Sequence, residues 1–270
     1  MIDRDKFFAY ARQHVFGGSM SAEQVRGMTA TLDEWETRKL TDLRKLAYIL
    51  ATKKWETAHT MQPVRETRAK TDLEARQNLA GVWYAVPDPI TNESYYGRGD
   101  VQLTHKRNYA KMTALLGQRF SVDLVTNPDK ALDPVIAVAI MFEGMLRADS
   151  GFGDFTGVAL EDYFNDEKCD WLNARRIVNG TDHAADIMSI ALGFYAALGG
   201  DVAKRLLKYG ASGPDVKELQ TMLNGHGFYS AEIDGDFGPV TKTAVEEFQT
   251  TAGLVSDGIV GPKTWAELNA

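Results

Sequence analysis

From Leu40 onward the apolar positions Leu43, Leu46, Ala47, Leu50 and Ala51 recur at three- and four-residue spacing, which predicts a half-buried helix running to about Lys54. A second pattern begins at Pro134, where Val135, Ile136, Val138, Ala139, Met141 and Phe142 make a nearly continuous apolar surface, as expected of a deeply buried central helix. A third helix is predicted over about Ala184 to Leu198, with Ile187, Ile190, Ala191 and Phe194 on one face. Turn-rich stretches separate them: Pro87 to Gly99, Gly151 to Gly157, and Asn179 to Asp182. Strand-type alternation is scarce apart from a short hairpin expected between Leu79 and Tyr96, so this part of the chain is read as mainly α-helical.

The last sixty residues follow a different rule. Gly-Pro occurs there three times, at Gly213-Pro214, Gly238-Pro239 and Gly261-Pro262, each placing proline at the first position of a helix, where a missing N–H costs nothing. Two of the three lie in matched runs, IDGDFGPVTKTAVEEF and SDGIVGPKTWAEL, whose Asp234 and Asp257 are 23 residues apart. Asp-Gly supplies a tight turn with a residue at positive φ, and Thr241 and Thr264 fall in the first helical turn after it. Val216, Leu219, Met222 and Leu223 share one helical face, and Ala244, Val245 and Phe248 another, enough to close a small three-helix bundle. The run Asp234, Gly235, Phe237, Gly238 and Thr241 resembles the DGxFGxxT signature of the peptidoglycan-binding domains found at one end of many cell-wall hydrolases. The resemblance implies a wall-binding module with peptidoglycan as its partner.

Candidate chemistry lies in the helical part. The segment KKWETAHTMQPVRET places Glu56 at the end of the first predicted helix and Glu66 ten residues later, beyond a loop broken by Pro63. A carboxyl group at a helix end backed by Trp55, with a second in a more open loop, is the kind of pair that glycoside hydrolysis uses: one acid protonates the leaving oxygen while the other activates a water. With 37 acidic residues in the chain, that spacing taken alone reads more readily as surface carboxylates. The run YYGRGDVQLTHKRNY from Tyr95 narrows the reading. Gly97 and Gly99 around Arg98 imply an irregular, closely approached backbone, and DVQLT, if extended, presents Gln102 and Thr104 on one face.

This run closely resembles the signature of the family 19 glycoside hydrolases, the plant-type chitinases and lysozyme-like lysins, in which Tyr-Gly-Arg-Gly leads into Gln-Leu-Ser/Thr and then Asn-Tyr. WETAHTMQPVRE likewise resembles their acid motif, Met-Gln-Pro loop and second Glu, and the matches span about Leu40 to Gly180. The resemblance implies a lysozyme-like helical catalytic domain with Glu56 as general acid, Glu66 as general base and Thr104 holding the attacking water. It further implies Gln102 and Asn108 as sugar-contacting amides and Tyr96 beside the groove. In the run NARRIVNGTD it makes Asn179 a substrate contact and Arg176 the partner of a catalytic carboxylate. Trp55 stands where the family has histidine, His59 where many members have glycine, and Arg107 and Ala137 where plant chitinases have tyrosine and lysine, so the chitin-type subsites differ. Paired with a wall-binding module, the resemblance implies an endolysin that cleaves the β-1,4 bond between N-acetylmuramic acid and N-acetylglucosamine with inversion. The alternatives are a chitinase of the same family and a non-enzymatic wall-binding protein.

Composition restricts the field without changing this picture. At 270 residues, 44% apolar and 25% charged, the chain has ordinary globular composition and room for two domains, expected as a catalytic domain over 1–207, a linker over 208–212 and the wall-binding domain over 213–270. A net charge of -7 argues against nucleic acid as a partner. His14, His59, His105, His183 and His226 form no metal-ligand spacing, and EKCDWL surrounds Cys169 with acids rather than an activating cation, so neither a zinc peptidase nor a cysteine amidase is expected. No metal, cofactor or membrane insertion is expected, and a monomer is the default. MIDRDKFFAYARQHVFGG offers no apolar run suited to a signal peptide. The expectation is storage in the host bacterial cytoplasm and release to the wall through a separate pore.

Overall fold

The helix predicted from Leu40 begins at Leu43, because the Asp42 carboxylate accepts the Arg44 N–H and caps the first turn. This helix, α3 (Leu43–Glu56), ends on the residue expected to be the acid. It follows α1 (Arg4–His14) and α2 (Ala22–Thr37), the latter opened by a reciprocal Ser21–Gln24 capping box. The remaining helices of this part are α4 (Asp72–Asn78), α5 (Lys106–Phe120), α6 (Pro134–Met145) and α7 (Ala184–Ala197). The computed structural model describes residues 2–146, 155–166, 168–200 and 206–268. Most of the expected turn at Gly151 to Gly157 lies outside them.

The chain divides into two compact units, Met1–Gly200 and Asp201–Ala270. In the larger, α6 is buried from Ile136 to Phe142, as its unbroken apolar run predicts, while Val135 at its start stays exposed. It shares the central position with α3, whose residues Leu46 to Lys54 are all buried and which packs most extensively against α7. The expected hairpin between Leu79 and Tyr96 does not form. That stretch is a short 3₁₀ turn, Trp83–Ala85, between loops. The two-stranded ladder lies elsewhere, where β1 (Val64–Arg65) pairs antiparallel with β2 (Arg98–Gly99), Val64 opposite Gly99 and Arg65 opposite Arg98.

The loop between α3 and β1 is fixed to α2. Gln24 Nε2 donates to the His59 carbonyl at 2.9 Å and Gln62 Nε2 to the Glu23 carbonyl at 2.6 Å. Gly27 allows this contact, since a Cβ there would stand 1.8 Å from the Met61 carbonyl oxygen. The chain between the two candidate carboxylates is thus held along its length.

In the smaller unit, α8 (Pro214–Gly225), α9 (Pro239–Thr251) and α10 (Pro262–Leu268) begin at the three Gly-Pro steps. Gly235 and Gly258 take positive φ, 84° and 69°, as the Asp-Gly turns require. Each turn is clamped by a buried glutamine. Gln220 Nε2 donates to Asp234 Oδ1 and to the Asp236 carbonyl while its Oε1 accepts the Gly235 N–H. Gln249 does the same for Asp257, the Ile259 carbonyl and the Gly258 N–H. The core gathers Val216, Leu219, Leu223, Phe237, Val245, Phe248 and Trp265, with Met222 partly buried. Residues expected to end the first domain and form a linker belong to this unit instead. Leu207 is fully buried in its core and bridges Val260, and Gly210 and Ala211 exchange backbone hydrogen bonds with Phe237. The reason is that these residues supply the edge that the Asp-Gly turns need for pairing, a long-range demand that composition does not reveal.

Candidate active site

Glu66 continues the β1–β2 ladder by one residue: its N–H donates to the Gly97 carbonyl at 2.7 Å, and its carboxylate turns back so that Oε2 accepts the Gly97 N–H, also at 2.7 Å. Glycine at position 97 leaves room for this approach: a Cβ there would stand 2.8 Å from Gln102 Oε1 and 3.2 Å from Glu66 Oε2, so both side chains would have to shift. Tyr84 donates its hydroxyl to Glu66 Oε1 at 2.7 Å. That bond pushes the Tyr84 hydroxyl up to about 12, with burial adding to it, so the phenol stays protonated at neutral pH and remains a donor. A carboxylate offers about four lone-pair sites, and these two bonds leave roughly half of them open.

Glu56 is anchored differently. Its Oε1 accepts a 2.8 Å bond from Arg175 Nη1, and Arg175 is itself fixed by Nε on the Asp182 carbonyl at 3.0 Å. Arg175 is 2% exposed and the Glu56 side chain 17%, so the pair sits at the floor of a recess rather than on the surface. A cleft of about 540 Å³ is lined by Trp55, Glu56, Val64, Arg65, Thr67 and Gln102. These residues include both chain neighbours of Glu66. A larger, apolar hollow of about 930 Å³ lies by Ile2, Tyr10, Trp35, Leu40 and Leu198; it carries neither carboxylate, so the smaller cleft is the candidate active site.

The other expected residues divide. DVQLT is not extended: Leu103 and Arg98 exchange backbone bonds across a tight loop, and Gln102 at its tip takes φ +53°. Gln102 still lines the cleft, held by Nε2 on the Val64 carbonyl at 3.0 Å. Thr104 is tied to it through Oγ1 on the Gln102 carbonyl at 2.7 Å, and Asn108 to Thr104 through Nδ2 on the Thr104 carbonyl, also at 2.7 Å. Tyr96 does not flank the groove. It is fully buried, donates its hydroxyl to Asp72 Oδ1 and lies under the Arg98 guanidinium at 3.7 Å. Arg98, also fully buried, spreads its donors over Asp129, Asp72 and the Ser94 carbonyl, so the Tyr-Gly-Arg-Gly motif braces β2 from beneath. His59 sits with Nδ1 2.6 Å from Lys54 Nζ, so it accepts from the ammonium; burial and the Lys54 charge both hold its pKa down.

Arg176 is not the carboxylate's partner: it is exposed, while its neighbour Arg175 turns inward. The 3₁₀ turn Asn173–Ile177 decides this, placing Ala174, Arg175 and Ile177 on its buried side. Asn179 lies exposed beyond that turn. Sequence reasoning missed both Arg175 and Tyr84. No local signal distinguishes two adjacent arginines, and Tyr84 reaches Glu66 only through the tertiary fold. Arg175→Gln is expected to lower turnover about a hundredfold by letting Glu56 shift, while Arg176→Gln stays within about twofold. Parallel kinetics on soluble glycan fragments, with melting curves to confirm folding, check the pair.

Comparison with known proteins bears mainly on the small unit. Residues 212–268 match the family described as "Putative peptidoglycan binding domain", and this unit carries a domain of that type. Over 64 residues the chain is 45% identical to a spore cortex-lytic enzyme of Halalkalibacterium halodurans, covering 24% of this chain and 19% of the relative. The crystal structure of a Burkholderia AP3 phage endolysin shares 47% identity over 24% of this chain and 25% of its own, with a TM-score of 0.24. Chitinase C from Streptomyces griseus HUT6037 aligns over 74% of this chain and 77% of its own, at 16% identity and a TM-score of 0.43. This chain spans less than two thirds of the length of the curated relatives named among its matches, 19% in the case of the spore cortex-lytic enzyme. Among the described residues, no helix is long and apolar enough to cross a membrane.

Proposed function

We propose that the chain is a peptidoglycan hydrolase of the endolysin type, which cleaves the β-1,4 bond between N-acetylmuramic acid and N-acetylglucosamine by single displacement with inversion. The observation that carries this reading is the pair of differently braced carboxylates: Glu56 on Arg175, and Glu66 on Gly97 and Tyr84, with a cleft that Glu56 and both neighbours of Glu66 line. In the proposed step Glu56 acts in its acid form, held through Oε1 by Arg175 and protonated on Oε2, and gives that proton to the glycosidic oxygen as the bond to the sugar carbon breaks. Glu66 keeps lone pairs for a water attacking from the opposite face, the arrangement in which carboxyl groups stand roughly 6.5–9.5 Å apart. Thr104 helps to place that water, and Gln102 and Asn108 contact the sugars. The step consumes only water and needs no cofactor.

The small unit supports the choice of wall glycan over chitin. A domain of the peptidoglycan-binding type on the same chain raises the local concentration of the hydrolase on an insoluble polymer without altering its chemistry.

Mass spectrometry of sacculi digested with wild type and with Glu56→Gln tests the proposal. New reducing ends on muramic acid from wild type alone are the expected result. Reducing ends on glucosamine would reassign the bond, and cleavage of chitin oligomers with intact sacculi would favour a chitinase. Binding without release of any fragment would leave only a wall-binding protein.

A further inference from the structure

Next to Glu66, on the side of Tyr84, a second hollow of about 570 Å³ is walled by Trp83, Tyr84, Pro87, His105 and Arg107 among others. Trp83 is 75% exposed, an unusual setting for the largest apolar side chain. It is nevertheless held in place: its ring stacks on His105 at 5.1 Å with 17° between planes and meets Tyr84 edge-on at 5.7 Å. Tyr84 in turn stands edge-on to His105 at 5.5 Å, and its hydroxyl is the group that braces Glu66. A rigid, flat, solvent-facing aromatic surface one side chain away from the proposed base suits the C–H face of a pyranose ring.

The charges in this hollow are also unequal. Lys106 is engaged by Asp88 at 2.8 Å, a contact that holds the Asp88 carboxyl down at about 2. Arg107 beside it is exposed and enters no ion pair among the described residues. In a chain of net charge -7, a guanidinium left open beside a sugar-sized platform favours a glycan that carries carboxylates alongside its sugars. Chitin has none, whereas wall glycan carries stem peptides, with their carboxylates, on its muramic acids.

We infer that this hollow is a further glycan subsite on the Glu66 side of the cleft, in which Trp83 stacks a sugar ring and Arg107 receives a carboxylate of the stem peptide. It rests on the proposed hydrolysis of wall glycan, and its test separates the two. The full chain, Trp83→Ala and Arg107→Gln are assayed on soluble glycan strands bearing their stem peptides and on the same strands stripped of them, with the freed lactyl carboxyl capped as its methyl amide so that the control strands carry no charge. Trp83→Ala is expected to raise KM about tenfold on both strands. Arg107→Gln is expected to raise KM about threefold on the peptide-bearing strands alone, and this difference should fade at about 0.5 M salt, where exposed charges are screened.

Unchanged KM for Trp83→Ala would overturn the subsite, and an equal effect of Arg107→Gln on both strands would overturn its carboxylate role. Should the wild type cleave neither strand, the hydrolysis reading fails. Calorimetric titration of the same intact strands into wild type and both variants then still decides the subsite, because the small unit contributes equally to all three.

Discussion

Glu66→Gln is expected to lower the rate of reducing-end release about 10²- to 10⁴-fold, with KM and melting temperature close to those of the parent chain. The substitution is nearly isosteric, and the local bonds survive it. The glutamine carbonyl oxygen can still accept the Gly97 N–H, and its amide can donate to the Tyr84 hydroxyl, which rotates from donor to acceptor. What disappears is the ability to take a proton from water, because an amide is not a base at neutral pH. The outcome therefore isolates proton transfer from architecture. Tyr84→Phe makes a graded control, removing one neutral donor from the carboxylate while leaving the base intact, so its loss should be far smaller. The measurement is steady-state kinetics on soluble glycan fragments, paired with thermal unfolding of each variant. A rate within tenfold of wild type for a folded Glu66→Gln would remove Glu66 from the chemistry and pass attention to the neighbouring carboxylates Asp72 and Glu74. Asp72 is already committed to Arg98, Arg76 and Tyr96, which argues against it.

What was legible in the sequence was local. Proline at a helix start and glycine in an Asp-Gly turn act through the backbone of the residue itself, and all three Gly-Pro helices begin where those letters stand. The three-and-four spacing around Leu46 and Leu50 and the unbroken run of α6 likewise report burial on the helices that carry them. What was hidden depended on partners distant in the chain. Tyr96 looks like a groove residue in its motif, yet its bond to Asp72, shared with the buried Arg98, draws it beneath β2. Gln102 is read as part of an extended run, but pairing of Arg98 with Leu103 forces it into a left-handed turn. The glutamine clamps of the small unit escaped the repeat pattern because Gln220 lies 14 residues before its Asp and Gln249 only 8 before its own. The same structural role is thus reached from two registers, and only the folded chain aligns them.

A second large effect is expected at a fully buried ion pair that joins the two halves of the cleft. Lys53, one turn before Glu56 on α3, touches Asp100 at 2.8 Å, and both side chains have no exposed surface. Lys53 Nζ also donates to the Gly27 carbonyl at 3.2 Å, but the approach to Asp100 is poorly aligned and neither carboxylate oxygen gains a hydrogen bond. Burial accordingly holds the Asp100 carboxyl above its ordinary value of 3.8, even though the Lys53 charge opposes this. Lys53→Met leaves Asp100 buried with no cation and is expected to cost about 3–5 kcal/mol at pH 7. The sign of the pH dependence follows from the direction of that shift. A raised folded-state pKa means the folded chain keeps a proton that the unfolded chain has already released. Losing the Lys53 cation raises the folded value further, so the gap between variant and wild type opens as pH rises above the wild-type folded value, where Asp100 ionises in the wild type but still keeps its proton in the variant. Urea unfolding of wild type and variant at about pH 4 and pH 7 should show the gap widening with pH, and a gap independent of pH would mean that Asp100 is not the cause. Lys53→Met combined with Asp100→Leu should recover much of the stability, because an apolar pair of similar volume pays no charge desolvation. Since Asp100 follows β2, against which Glu66 is braced, while Lys53 shares α3 with Glu56, the double variant also tests whether this contact sets the separation of the carboxylates. Recovered stability with turnover still depressed would assign the pair to positioning, whereas recovery of both would confine its role to folding.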